Sequence, residues 1–161
     1  MAAATLSPGG GCQDIAVRRF NLLAPEFEHS SDRDGYRWRG ARVGQGVGAE
    51  QVDVSLYELG DGQRSHPYHF HHGIEEWLLV VEGSPLIRTP AGERVLQRGD
   101  ILCFPVGPGG GHQVTGPGTV LIFSTKRVPD SVEYPDSGKI EVRPPGKIFR
   151  SADSVDYWDG E

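Results

Sequence analysis

One stretch, Ser65 to Gly83, limits what this chain can fold into; it reads SHPYHFHHGIEEWLLVVEG. His69 and His71 are two residues apart, so on a strand both side chains point to one face. His72-Gly73 then breaks the strand. Trp77 to Val81 is a short apolar run closed by Glu82 and Gly83, the length of a strand and not of a helix. The stretch therefore predicts strand, turn, strand. Glu76 lies five residues after His71, enough for a turn and a return beside the two imidazoles. Neutral imidazole and ionised carboxylate are ligands that borderline divalent metals take. Downstream, His112 follows a Pro/Gly loop and completes a candidate metal set: His69, His71, Glu76 and His112.

A lone histidine is ordinarily a solvated or hydrogen-bonded residue. A His-x-His pair against an acidic pair and an apolar strand is harder to read as packing, because buried polar groups are costly unless satisfied. His66 and His72 lie off the site by distance or parity and read as solvated. Glu75 is the rival of Glu76, since a turn slips easily by one residue.

Several boundaries follow from composition. The chain of 161 residues favours one domain and suffices for a proper core. It is too short for a (β/α)8 barrel, which needs about 200 residues or more; many such barrels also open their metal site with His-x-His. The 23 glycines and 12 prolines, with short apolar runs between them, indicate an all-β fold. A net charge of −6 and a pI near 5.5 give no electrostatic reason to bind nucleic acid or an anionic membrane. Cys12 sits in a glycine-rich tail and Cys103 in an apolar strand, so a disulfide framework is not expected. Cys103 reads as a small buried hydrophobe. MAAATLSPGGG has neither the basic nor the apolar region of a secretory signal, and no apolar run is long enough for a membrane helix. The expected location is the cytoplasm.

Along the chain, residues 1–13 read as a disordered tail and 14–50 as an N-terminal extension packing on a barrel. Asp14 to Leu23 and Tyr36 to Val43 are candidate strands within that extension. Gly44, Gly46 and Gly48 lack the spacing of a dinucleotide-binding loop and read as a flexible turn. Residues 51–126 are the barrel core. Val52, Val54 and Leu56 alternate with polar residues, Asp61-Gly62 signals a hairpin, and short strands follow at regular spacing up to Thr125. Residues 127–161 form a C-terminal extension with Pro129, Pro135, Pro144 and Pro145; its isolated apolar residues predict that it wraps the barrel or crosses to a partner.

The core resembles the cupin superfamily. Its first motif, G-x5-H-x-H-x(3,4)-E-x6-G, is matched by His69, His71, Glu76 and Gly83, with Gly62 one residue too far upstream. Its second, G-x5-P-x-G-x2-H-x3-N, is matched by Gly99, Pro105 and Gly107; four residues instead of two precede His112, and Gly116 stands where the Asn would be. The match covers about Val52 to Thr125, and the chain is similar to small single-domain bacterial cupins. The resemblance implies a double-stranded β-helix, a jelly-roll-like barrel with irregular terminal extensions. It also implies a divalent metal held by His69, His71, Glu76 and His112, with open positions for water or substrate. Imidazole with carboxylate suits zinc, iron, manganese and nickel alike.

Two function classes follow. The leading one is a metal-dependent enzyme acting on a small organic molecule, of dioxygenase, isomerase, epimerase or decarboxylase type. The alternative is a non-catalytic barrel that binds a small molecule or a metal. A general acid or base beside the metal would separate them, and the nominees are Tyr57, Arg88, Glu75 and Gln113. With Glu76 inward, Trp77, Leu79 and Val81 face outward and form an apolar patch that needs a cover. The chain's own Ile15, Val17, Phe20, Ile148 and Phe149 could supply it, as could a second copy. The expectation is a homodimer with Trp77 buried.

Overall fold

The protein is described here by a computed structural model, whose described residues are 17–161. Cys12, Ile15 and the tail expected over 1–13 lie outside them. Among the described residues, thirteen strands alternate with turns: β1 His29–Arg33, β2 Tyr36–Ala41, β3 Val52–Leu59, β4 Phe70–His71, β5 Glu76–Gly83, β6 Leu86–Thr89, β7 Gly92–Val95, β8 Ile101–Phe104, β9 Gln113–Thr115, β10 Gly118–Thr125, β11 Asp130–Tyr134, β12 Lys139–Arg143 and β13 Lys147–Arg150. One short helix, α1, spans Val43–Val47. The Gly44–Gly48 segment is therefore helical and not a free turn; Gly48 ends it in the left-handed region at φ 81°. No helix of the described residues is long and apolar enough to cross a membrane.

All strand pairs are antiparallel. One sheet has the order β1-β2-β3-β10-β5-β8, a second β7-β6-β9 and a third β13-β12-β11-β4. The first two face each other across the core. Leu59, Leu78, Val80, Phe104, Val120 and Ile122 of the large sheet meet Ile87 and Val114 of the small one. Strand alternation explains the selection: on β10, Val120 and Ile122 point in while Leu121 and Phe123 point out. β4 and β11 lie where the candidate ligands gather.

The turns rest on particular glycines. Gly83 has φ 83°, and a Cβ there would come within 2.6 Å of the Gly118 Cα. Only glycine allows the β5 and β10 ends to approach so closely.

Three further expectations are corrected. Asp14 to Leu23 contributes no strand among its described residues. The extensions are not irregular: β1 and β2 join the large sheet by pairing onto β3, and β11 to β13 form a sheet of their own. Free backbone groups at a sheet edge recruit neighbouring segments whatever their periodicity. Cys103 is exposed, because Leu102 and Phe104 take the inward positions of β8 and leave residue 103 outside. The apolar outer face of the large sheet is only half covered. Phe20, Leu22 and Phe27 pack with Ala41, Val43, Leu56, Val81 and Leu121. Val17 is 98% exposed, and Ile148 and Phe149 stand half exposed on β13, away from this face. Trp77 stacks on Phe123 with ring centroids 6.0 Å apart, and Ile101, opposite Leu79, is 58% exposed.

Candidate metal centre

The centre is assembled from three chain segments. His69 and His71 lie at β4, Glu76 opens β5, and His112 stands just before β9. The backbones of His69 and His112 exchange both hydrogen bonds, at 3.2 and 3.0 Å. Residues directly opposite in an antiparallel pair present their side chains on one face. The two rings are accordingly 4.7 Å apart. Phe104, opposite Glu76 in the β5–β8 pairing, stacks on the His112 ring at 3.8 Å.

The longer loop before His112 is absorbed locally. The Gly107 N–H donates to the His71 carbonyl at 2.7 Å, and Pro108–Gly110 forms one tight turn. Gly110 packs so close to the Pro105 carbonyl oxygen that a Cβ would collide with it. His112 then arrives with Nε2 3.2 Å from the Glu76 Oε2. His71 and His69 bring Nε2 to 3.5 and 3.7 Å of the same oxygen.

Every imidazole is oriented through its other nitrogen. The Nδ1–H of His69 donates to the Pro67 carbonyl (2.9 Å), and that of His112 to the Gly110 carbonyl (2.9 Å). The Nδ1–H of His71 donates to Asp130 Oδ2 at 2.7 Å. Carbonyl and carboxylate oxygens only accept, so the proton of each neutral ring sits on Nδ1 and Nε2 keeps a lone pair. Three lone pairs thus converge on Glu76 Oε2, itself buried and without a hydrogen-bond partner among the described residues. Four acceptors with no donor among them repel unless a cation sits between. The spacing fits one: two ligands at about 2.1 Å from a metal are roughly 3.0–3.5 Å apart. The ligand atoms of His69, His71 and Glu76 lie within 4.8 Å of one another. With His112 they form a donor set suited to a divalent ion.

Without a metal, a proton taken up on a facing Nε2 turns that ring into a donor to Glu76. Burial alone would raise the Glu76 carboxyl, but donation from the imidazoles of His112, His69 and His71 holds it well below the usual range. Burial alone would lower His71, but Glu76 and Asp130 outweigh it and hold its pKa above the usual value. His66 is not solvated as expected. Its ring lines the same cavity, edge-on to Tyr57 at 5.2 Å, and burial followed by repulsion from His69 pushes its pKa down to about 4. His66 stands in a bend between the isolated bridges of Arg64 and His69, so strand parity does not set its direction.

These two histidines predict an opposed pH response of the metal-free protein. The raised pKa of His71 contributes stability that is present below about pH 6.5 and is lost as pH rises through its folded value. The depressed pKa of His66 contributes stability present above about pH 6.5 and lost as pH falls towards 4, on the order of 2–3 kcal/mol. Chelator-treated protein should therefore melt highest near pH 6.5, and His66→Gln should flatten the acid limb. An acid limb unchanged in that variant would remove His66 from the account.

Among the other nominees, Tyr57 lines the cavity, and burial raises its pKa. Glu75 is exposed, and its Oε1 accepts from the Trp77 indole N–H at 2.8 Å. Arg88 is paired with Asp136 at 2.6 Å, and the Gln113 side-chain amide donates to the His66 carbonyl. His72 is exposed and pairs with Glu133 at 2.7 Å.

The C-terminal extension supplies residues that sequence reasoning missed. β11 pairs with β4, setting Val132 opposite His71. That register brings in Asp130, which is 3% exposed and also accepts from the Gly73 N–H at 2.9 Å. Tyr134 stacks on His69 at 5.9 Å, and its hydroxyl donates to Glu141 at 2.9 Å. Burial and Glu141 push the Tyr134 phenol up to about 12. Glu141 in turn holds Arg143 through two hydrogen bonds at 2.8 and 2.7 Å. Tyr134 and Arg143 thereby wall one side of a cavity of ≈ 740 Å³, a size usual for small-molecule sites.

No protein-family model and no curated protein matches the sequence. Solved structures do match the fold. A sugar phosphate isomerase of the cupin superfamily from Silicibacter pomeroyi is 25% identical, with a TM-score of 0.73 over 88% of this chain and 98% of that one. A candidate sugar phosphate isomerase from Acidithiobacillus ferrooxidans is 23% identical, with a TM-score of 0.74 over 84% of this chain and 91% of that one. A cupin-like protein from Thermotoga maritima is 21% identical, with a TM-score of 0.50 over 68% of this chain and 85% of that one. With its facing antiparallel sheets, and a His/Glu cluster at one end of the barrel, this chain belongs by fold to the cupin superfamily.

Proposed function

We propose that this cupin is a divalent-metal-dependent enzyme that isomerises a small polyhydroxylated molecule. The observation that carries the reading is the convergence of three imidazole lone pairs and the orphaned Glu76 oxygen at the edge of a cavity of substrate size. The likeness to a sugar phosphate isomerase across most of both chains supports the reaction class. His69, His71, Glu76 and His112 would hold the ion. A divalent ion in such a set polarises hydroxyl and carbonyl oxygens of a bound substrate. The chain's own residues do the rest. Tyr57 and His66 border the cavity, where a phenol and a neutral imidazole can exchange protons with substrate oxygens or carbons. Tyr134 and Arg143 close the side wall and limit access of water.

The test is elemental analysis of untagged protein, followed by turnover of aldose and ketose phosphates before and after chelation. Stoichiometric metal with chelator-sensitive interconversion supports the enzyme. Stoichiometric metal with no turnover of any sugar supports the binding-module alternative.

We propose also that two copies pair through the part of the outer face formed by half-buried Trp77, Leu79 and Phe123 and exposed Ile101. Light scattering should show a dimer at micromolar concentration, and Trp77→Glu should shift it to monomer. A native monomer, or a dimer indifferent to this substitution, rejects that interface.

A further inference from the structure

The inner face of the barrel changes character along two paired strands. On β10 the inward positions run Val120, Ile122, Ser124, and the next in line is Lys126. On β3 they run Leu59, Tyr57, Ser55, Asp53. The register sets Ser55 opposite Ile122 and Asp53 opposite Ser124. Core thus gives way to hydroxyls and then to charge at the rim. Three cations line this cavity, Arg42, Lys126 and Arg143, in a chain whose net charge is −6. Two of them are already engaged. Arg143 is gripped by Glu141, and the Lys126 ammonium lies 3.3 Å from Asp53. Arg42 forms no ion pair among the described residues, although it leads into α1 at the cavity mouth.

We infer that the rim formed by Arg42 and Lys126 is a subsite for a phosphate ester, at the far end of a substrate whose hydroxyls reach the metal centre. This rests on the metal-dependent reading above. The spacing follows from the register. Ser124 pairs with Glu76, and Lys126 is two residues further along, about 7 Å beyond the ligand level. That distance suits a phosphorylated chain of a few carbons. A guanidinium with its donors uncommitted grips phosphate through paired hydrogen bonds. Ser55 and Ser124 offer hydroxyls to the substrate between rim and metal.

The experiment uses inorganic phosphate as probe, on metal-free and metal-loaded protein, with calorimetry and the Arg42 side-chain NMR signal as readouts. Metal-free protein should bind phosphate saturably and shift the Arg42 signal. Arg42→Gln should weaken binding about tenfold, while Arg88→Gln, remote from the cavity, should not. Binding unchanged by Arg42→Gln, binding confined to metal-loaded protein, or no binding at all overturns the subsite. Equal competition by acetate overturns its assignment to phosphate. A parallel metal titration keeps the two readings apart: Arg42-dependent phosphate binding by a protein that takes up no metal retains the subsite and removes the metal centre.

Discussion

Glu76→Gln is expected to reduce metal affinity at least 100-fold and, at pH 8, to leave the metal-free protein as stable as the native one or more so. The two effects have one cause. In the metal-free protein at that pH, Glu76 Oε2 faces three imidazole nitrogens and has no donor to pair with. A buried acceptor left so costs about 1–3 kcal/mol. An amide in the same place donates N–H to those lone pairs and removes the penalty, but it withdraws the only charged ligand. His69→Ala should also abolish binding, with the barrel retained, because the facing sheets form a core largely separate from the cluster. Competition with a chelating dye measures affinity, and thermal melts with and without chelator measure stability. Native affinity in Glu76→Gln would show that the carboxylate is not a ligand. A metal-free variant much less stable than the native protein would show that its oxygen is not an orphan.

Asp130→Asn is expected to weaken metal binding 10- to 100-fold, although Asp130 touches no metal position. Its Oδ2 receives the His71 Nδ1–H at 2.7 Å and its Oδ1 the Gly73 N–H at 2.9 Å. The carboxylate thereby holds His71 in the tautomer that aims a lone pair at the site and makes that nitrogen more basic, the role such outer carboxylates play in metal centres. Asparagine has one acceptor oxygen for two donors, so either the ring or the Gly73 amide loses its partner. Asp130→Ala should weaken binding further and unfold at lower denaturant. Long-range nitrogen NMR on His71 separates positioning from simple destabilisation. The native ring should show Nδ1 protonated and Nε2 bare, and the asparagine variant a mixture. A single unchanged tautomer with native metal affinity would reduce Asp130 to a packing residue.

Some of this was legible in residue order. His69 and His71 share a face because strand side chains alternate, and Glu76 falls inward because Leu78 and Val80 do. The short apolar runs and turn glycines carry the all-β architecture, since each strand needs only its own alternation and its own turn. Glu75 and Glu76 separate once β5 has a register, because one-residue neighbours on a strand face opposite sides.

Other parts depend on where distant segments meet. Asp130 lies 59 residues from His71, and no local pattern marks a carboxylate that becomes a partner only when β11 pairs with β4. Parity marks His66 as solvated because it speaks only of its own strand, whereas the surroundings of this ring come from Tyr57 across the barrel. The apolar neighbours of Cys103 point to core, but the inward places on β8 belong to Leu102 and Phe104. Sequence alone determined the core strands from β3 to β10, the turns between them and the ligand types at the centre, because these are set by residues a few places apart. Tertiary structure alone decided which carboxylate holds His71, which cations at the rim are paired, and how much of the outer face is covered. Those follow from strand pairings between segments far apart in the chain, and local alternation carries no information about them.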